Sequence, residues 1–234
     1  MRPFLELEPT TDQNFRIIGH GSRGNLTERL ERSFKIEEQD IEKACMMRFE
    51  AFHDIVSILP DDEQSIVELD RNHPNTFAAM KIIYCSAIDH YLEGNYEIAA
   101  AQLEMLIDCD GEDPLEATEQ LALCYMGLGD WECLEDIMGD LSDKRPIVPL
   151  IGCLKEFVQS GAVTTATAKG FDRFKEYAAE FRATQHPADE QYAAQINSER
   201  PSRAALARQF YLSAAPMLMS EYEGFIESLN GVTA

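Results

Sequence analysis

The stretch with the clearest chemical spacing is Gly19-His20-Gly21-Ser22-Arg23-Gly24, which fits GxGxxG. It follows the strand-like Phe15-Arg16-Ile17-Ile18 and precedes a helical stretch starting near Asn25 or Thr27. Glycines so placed let backbone N–H groups meet a pyrophosphate at a helix N-terminus. One reading is therefore a nucleotide- or phosphate-ligand-binding protein or enzyme using the Gly19–Gly24 loop. That fingerprint needs a βαβ unit. Residues 26 to 182 offer no second buried strand, and only Asp40 or Glu42, inside a helical run, stands at the distance of a ribose-binding acid. A flexible, mildly basic arm is the better reading.

Other candidates are weaker. Asp108, Asp110, Glu112 and Glu119 occupy the first, third, fifth and twelfth places of a calcium loop, but Asp113 stands where the sharp turn wants glycine and Pro114 follows. His20, His53, His73, His90 and His186 form no HExxH or i, i+4 pair, there is no GxSxG, and no nucleophile stands beside a base. Cys45, Cys85, Cys109, Cys124, Cys133 and Cys153 form no CxxC and suit reduced core thiols. The expectation is a non-enzyme with no metal and no cofactor.

Charge narrows the partner. The 234 residues hold 20 Lys plus Arg and 42 Asp plus Glu, a formal charge of −22. Phosphate backbones and anionic membranes need basic surfaces, so neither nucleic acid nor membrane is expected. Residues 1–35 carry 5 acids and 6 bases, residues 36–160 carry 28 and 7, and residues 161–234 carry 9 and 7. Nearly all the negative charge is therefore in the middle, with sixteen acids and no base between Lys81 and Lys144. Such a belt is either a solvated face or an attractor of a basic partner. No run approaches the roughly 18 apolar residues of a membrane span, and the first residues are acidic where a secretory signal would be apolar. The cytoplasm is the default compartment.

The positioning elements read as helices. Residues 1–35 form an irregular arm and a first helical turn. Ile41, Cys45, Phe49, Phe52, Val56 and Leu59 recur at helical steps up to Pro60, and Asp61 or Asp62 caps a short helix through Leu69. Phe77–Leu92, the turn Glu93-Gly94-Asn95 and Glu97–Cys109 make one helical pair. Leu115–Met126, the turn Gly127-Leu128-Gly129-Asp130 and Trp131–Leu141 make another. Gly94, Asn95 and Tyr96 fall on Gly129, Asp130 and Trp131 with a separation of 35 residues, an internal repeat. A weaker third copy runs from Val148 to Phe181 around Gly161, shortened by Pro146 and Pro149 and weakened by Gly170. Residues 183–234 hold a short helix, Ala188–Ile196, and a final helix ending at Asn230-Gly231 that Pro216 should kink.

Ala87, Tyr91 or His90, Gly94-Asn95-Tyr96 and Ala99 in one copy, and Ala122, Tyr125, Gly129-Asp130-Trp131 and Leu134 in the next, resemble the tetratricopeptide repeat. The resemblance implies an all-α superhelix of stacked antiparallel helix pairs over residues 36–182, with a C-terminal capping helix region at 183–234. In its register the groove shows Lys81, Tyr84, Ile88 and Tyr91, then Glu116, Glu119, Leu123 and Met126, then Val148, Ile151, Lys155 and Val158. Members that grip a C-terminal carboxylate use Lys, Asn and Arg at places that here hold Tyr84, Ile88, Glu119 and Leu123, with Lys155 the one base. The resemblance thus implies an apolar, aromatic groove with an acidic rim. The expected function is a non-catalytic scaffold or chaperone-like adaptor binding a basic or amphipathic protein segment. A homo-oligomer through the C-terminal helix is the remaining alternative.

Overall fold

A computed structural model describes residues 3–10, 14–60 and 67–232, and it is mostly helical with a small sheet. The chain divides into two units, Met1–Leu128 and Gly129–Ala234. The division falls inside the second expected helical pair.

The first unit begins with two strands, one over the strand-like Phe15–Ile18 and one where only an irregular arm was expected. β1 (Leu5–Pro9) alternates Leu with Glu and pairs antiparallel with β2 (Asn14–Gly19), Leu5 opposite Gly19 and Pro9 opposite Phe15. Leu5 and Ile17 are buried between sheet and helices, while Glu8 and Arg16, directly opposite each other on the exposed face, form an ion pair of 2.9 Å. α1 (Gly21–Gly24) is a single turn, and α2 (Leu26–Glu37) starts where the Asn25 side chain accepts the Glu28 N–H. α3 (Ile41–Val56) is capped by Asp40, which accepts the Lys43 N–H. The short helix expected over residues 61–69 lies mostly outside the described residues. Its last part, Glu68–Leu69, is instead β3, parallel to β2.

α4 (Pro74–Leu92) is the hub of this unit, with Pro74 in its first turn where no backbone donor is needed. Its first turn acts like a further strand on the edge of β2. The Ile17 N–H donates to Thr76 Oγ1 at 2.9 Å, and Asn75 Nδ2 donates to the Ile17 carbonyl at 3.2 Å. Asn75 Oδ1 also accepts the Leu26 N–H at 2.8 Å, so one amide side chain serves both the sheet and the start of α2.

Further along α4, Asp89 takes a guanidinium from α3. Arg48 is 2% exposed; its Nε and Nη2 donate to the two Asp89 oxygens at 2.6 and 2.7 Å, and Nη1 donates to Glu37 on α2 at 3.0 Å. Burial opposes the charge, but hydrogen bonds and the charges of Asp89 and then Glu37 outweigh it and raise the Arg48 pKa above its ordinary value. Three helices are thereby tied to one planar group.

The α4 hairpin turns at Gly94, whose φ of +80° is left-handed, into α5 (Tyr96–Cys109). α6 (Ala117–Leu128) follows and packs on α5. A Cβ at Gly127 would lie 2.7 Å from the Tyr96 ring, so the missing side chain lets α6 close on the start of α5.

In the second unit, α7 (Trp131–Ile137) starts after Gly129, φ +67°, and is capped by Asp130; it stops short of the expected Leu141. α8 (Ile147–Ser160) ends at Gly161, φ +77°. The long helix expected after it is two, α9 (Thr165–Asp172) and α10 (Lys175–Arg182). α11 (Glu190–Ile196) is capped by Asp189, and α12 (Arg203–Glu221), capped by Ser202, holds Pro216. The expected single last helix breaks at Gly224, φ +83°, and resumes as α13 (Phe225–Gly231). Phe210, Ala214, Met217, Leu218, Phe225 and Leu229 are buried within this unit, so the final apolar stripe faces its own core. Rings of Phe171, Phe181 and Tyr211 meet edge to face at about 5 Å there. Glu180, buried beside them, accepts from Arg208 Nε at 3.0 Å and lies 2.8 Å from His186 Nδ1. Burial pushes its pKa up, but the hydrogen bonds from Arg208 and His186 more than offset this and hold it below 4.5. Among the described residues no helix is long and apolar enough to cross a membrane.

Arg48→Ala leaves Asp89 and Glu37 without their counter-ion and is expected to cost roughly 3–5 kcal/mol, read as a lowered urea midpoint. Arg48→Lys should recover only part of the loss, because an ammonium cannot match both oxygens. Glu180 stabilises fully above the unfolded carboxyl range near 4.5, and that contribution fades as pH falls through the lower folded value. Denaturant titrations should therefore show Glu180→Gln most destabilising near neutral pH, and closest to the natural chain in acid.

Candidate partner-binding site

The acidic turn before α6 is shaped by two non-glycine residues in the left-handed region, Asp113 at φ +45° and Glu116 at φ +57°. Such a backbone costs roughly 1–3 kcal/mol and persists where the surroundings hold it. Here the Asp113 carboxylate accepts the N–H groups of Ala117 and Thr118 at 2.6 and 2.9 Å, satisfying the first turn of α6. Glu116 is thereby turned to solvent, with Glu119 half-buried one turn on.

On α4, Lys81, Tyr84 and Ile88 are all half-buried. Burial first, then neighbouring Cys85 and the charges of Glu116, Glu119 and Asp113, push the Tyr84 phenol pKa well above the ordinary value. The Lys81 ammonium sits 4.7 Å from the centre of the Phe77 ring. Tyr84 thus stands within electrostatic reach of Glu116 and Glu119. The structure does not offer Tyr91, Leu123 or Met126 to a ligand, because all three are buried at 3% exposure or less. These are core residues: Tyr91 packs against Tyr96 with ring centres 5.5 Å apart. Lys155 belongs to the second unit, where it pairs with Glu135 at 2.9 Å.

The glycine loop has a packing role. A Cβ on Gly19 would lie 1.8 Å from the Gly24 carbonyl oxygen, and one on Gly24 would lie 2.2 Å from that of Phe4. These two glycines let β2, α1 and the chain entering β1 come together, and the His20 N–H closes the junction on the Phe4 carbonyl at 2.8 Å. Of the calcium-spaced acids, Asp110 and Glu112 are held by Arg71 beside a cavity of about 400 Å³. No group of three or more His, Cys, Asp or Glu among the described residues is arranged to hold a metal ion. Burial pushes the Cys85 and Cys109 thiols to about 11 and those of Cys124 and Cys153 to about 12, which keeps them protonated near neutral pH.

A groove of about 910 Å³ between α2 and α3, lined by Arg23, Arg29, Arg32, Lys43, Phe49 and Asp54 among others, coincides as a whole with no sequence motif. Its signal in the sequence was the net positive charge of residues 1–35 in an otherwise acidic chain.

Comparisons with protein-family models, with curated proteins and with solved structures found no match.

Because Gly24 touches backbone rather than a flexible side chain, Gly24→Ala should unsettle the junction of β1, β2 and α1. A lowered melting temperature with no ligand present is the expected result; unchanged melting would show that the glycine spacing serves something other than packing.

Proposed function

We propose that this chain is a non-catalytic protein-interaction scaffold, its helices arranged as stacked pairs resembling the tetratricopeptide repeat. In this reading the α4–α6 face binds a basic or amphipathic segment of another protein. The reading is carried by half-buried Tyr84 and Ile88, one turn apart on α4, together with the negative charges of Glu116 and Glu119 that act on the Tyr84 phenol. An amphipathic segment laid there would put apolar side chains against Tyr84 and Ile88, and its Lys or Arg residues against the carboxylates.

Supporting the repeat arrangement, the turns at Gly94-Asn95-Tyr96 and Gly129-Asp130-Trp131 both use a left-handed glycine and lead into a helix headed by an aromatic residue. The ring of Tyr96 against Gly127 is the kind of contact that spaces one pair from the next. The cysteines form no disulfide among the described residues, which suits the reducing cytoplasm.

The test measures binding of a panel of synthetic basic amphipathic helices and acidic counterparts to the full chain. The basic set is expected to bind and the acidic set to fail. The double reversal Glu116→Lys with Glu119→Lys should weaken basic-peptide binding by about tenfold or more without lowering the melting temperature. Tyr84→Ala should weaken it too, and its effect should persist at about 1 M salt, where exposed charges are screened beyond roughly 3 Å. Equal binding by natural and reversed chains would sink the assignment.

A further inference from the structure

We infer that the groove between α2 and α3 is a second binding site, for a phosphorylated small molecule of nucleotide size with a flat aromatic body. Its floor is built before any ligand arrives. Asp54 accepts one hydrogen bond from Arg23 and one from Arg29, both 2.8 Å, so two guanidiniums share a single carboxylate and one positive charge is left over. Both cations are fixed in place. The Arg23 guanidinium lies 4.1 Å from the centre of the Phe4 ring, and Arg29 also donates to the Arg23 carbonyl at 3.2 Å. Ordering these side chains is a cost that the fold has already met, which leaves their remaining N–H groups available to phosphate oxygens.

Two further cations line the same groove, Arg32 from α2 and Lys43 from α3. Both are exposed and neither has a partner among the described residues. With Glu28, Glu50 and Asp54 the lining holds four cations and three carboxylates, a positive balance in a chain of net −22. At physiological ionic strength charges farther away than about 8 Å are screened, so a bound anion responds to this lining and not to the distant acidic belt.

The apolar wall fixes the rest of the ligand. Phe49 is 41% exposed, with His53 edge-on to it at 4.4 Å and Met47 nearby. Flat exposed rings beside fixed cations suit an aromatic group joined to phosphates. The volume of about 910 Å³ accommodates a nucleotide.

The test titrates the full natural chain with ATP, without divalent metal, and with inorganic tripolyphosphate, by calorimetry. Saturable binding of both is expected. Arg32→Glu with Lys43→Glu, two exposed positions, should weaken both ligands by on the order of a hundredfold. Phe49→Ala should weaken ATP by several-fold and leave tripolyphosphate unchanged, which keeps the test valid should the double reversal misfold. Basic-peptide binding at the α4–α6 face should be unaffected by Phe49→Ala, so this site and that one fail separately. Absence of saturable binding overturns the inference. So does binding indifferent to both sets of substitutions, or an oligoglutamate peptide that displaces ATP at lower concentration, which would make the groove a receptor for acidic chain segments.

Discussion

A buried guanidinium must find its counter-charges, and the first unit is arranged around meeting that demand for Arg48. The cost of desolvating an arginine is several kcal/mol, and it is offset only by close, planar, well-aligned acceptors. Asp89 supplies both of its oxygens and Glu37 adds a third. Since the three residues come from α3, α4 and α2, a rotation of any one helix would leave a charge stranded. The α2–α3 groove inherits its walls from this arrangement, and α4, fixed from that side, presents Lys81, Tyr84 and Ile88 on another part of its surface. Both proposed sites thus depend on a residue that touches neither.

The same unit separates its charges. Acids collect at the turn before α6, while cations collect between α2 and α3. A uniform excess of negative charge would do little beyond keeping a protein soluble. Local grouping allows opposite preferences on different surfaces of one molecule, provided that salt confines each field to its own neighbourhood. Arg71 shows the same economy at smaller scale, drawing Asp110 and Glu112 together and leaving the other calcium-spaced acids to different roles.

Elements with local causes were legible in the sequence. The period of apolar residues gives α3 and α4, and Pro74, Gly94, Gly129 and Gly161 mark boundaries that the structure uses. What escaped were features set by distant partners. β3 is two residues long, and nothing in Glu68-Leu69 announces that β2 will pair with it. Pro9 and the flanking glycines made residues 1–25 look irregular, although the alternation Leu5-Glu6-Leu7-Glu8 was a strand pattern. Arg48 looked like one charge among many on α3, since burial of an ionic group is decided by which carboxylates reach it. Tyr91, Leu123 and Met126 were placed on a groove by repeat register, which fixes the side of a helix but not what covers it. The cations of residues 1–35 were visible as a sum and invisible as a groove, because Arg23, Arg29 and Arg32 come to line one groove with Lys43 only once α2 and α3 pack.

The side chains of Asn75 and Thr76 have a consequence beyond holding α4. An unpaired strand edge is a template for another chain, and short sheets are exposed to edge-to-edge association. On one side of β2 the ladder is taken up by β1. On the other, β3 pairs with Asn14 and Phe15, and the two α4 side chains take both backbone groups of Ile17. Within the described sheet the outer strands are the two-residue β3 and the longer β1, and β1 carries Glu6, Glu8 and Pro9. Repulsion between acidic strands and the donor missing at proline make that edge a poor surface for a second copy to extend, so a helix cap and two carboxylates together guard this small sheet against growing into a larger one.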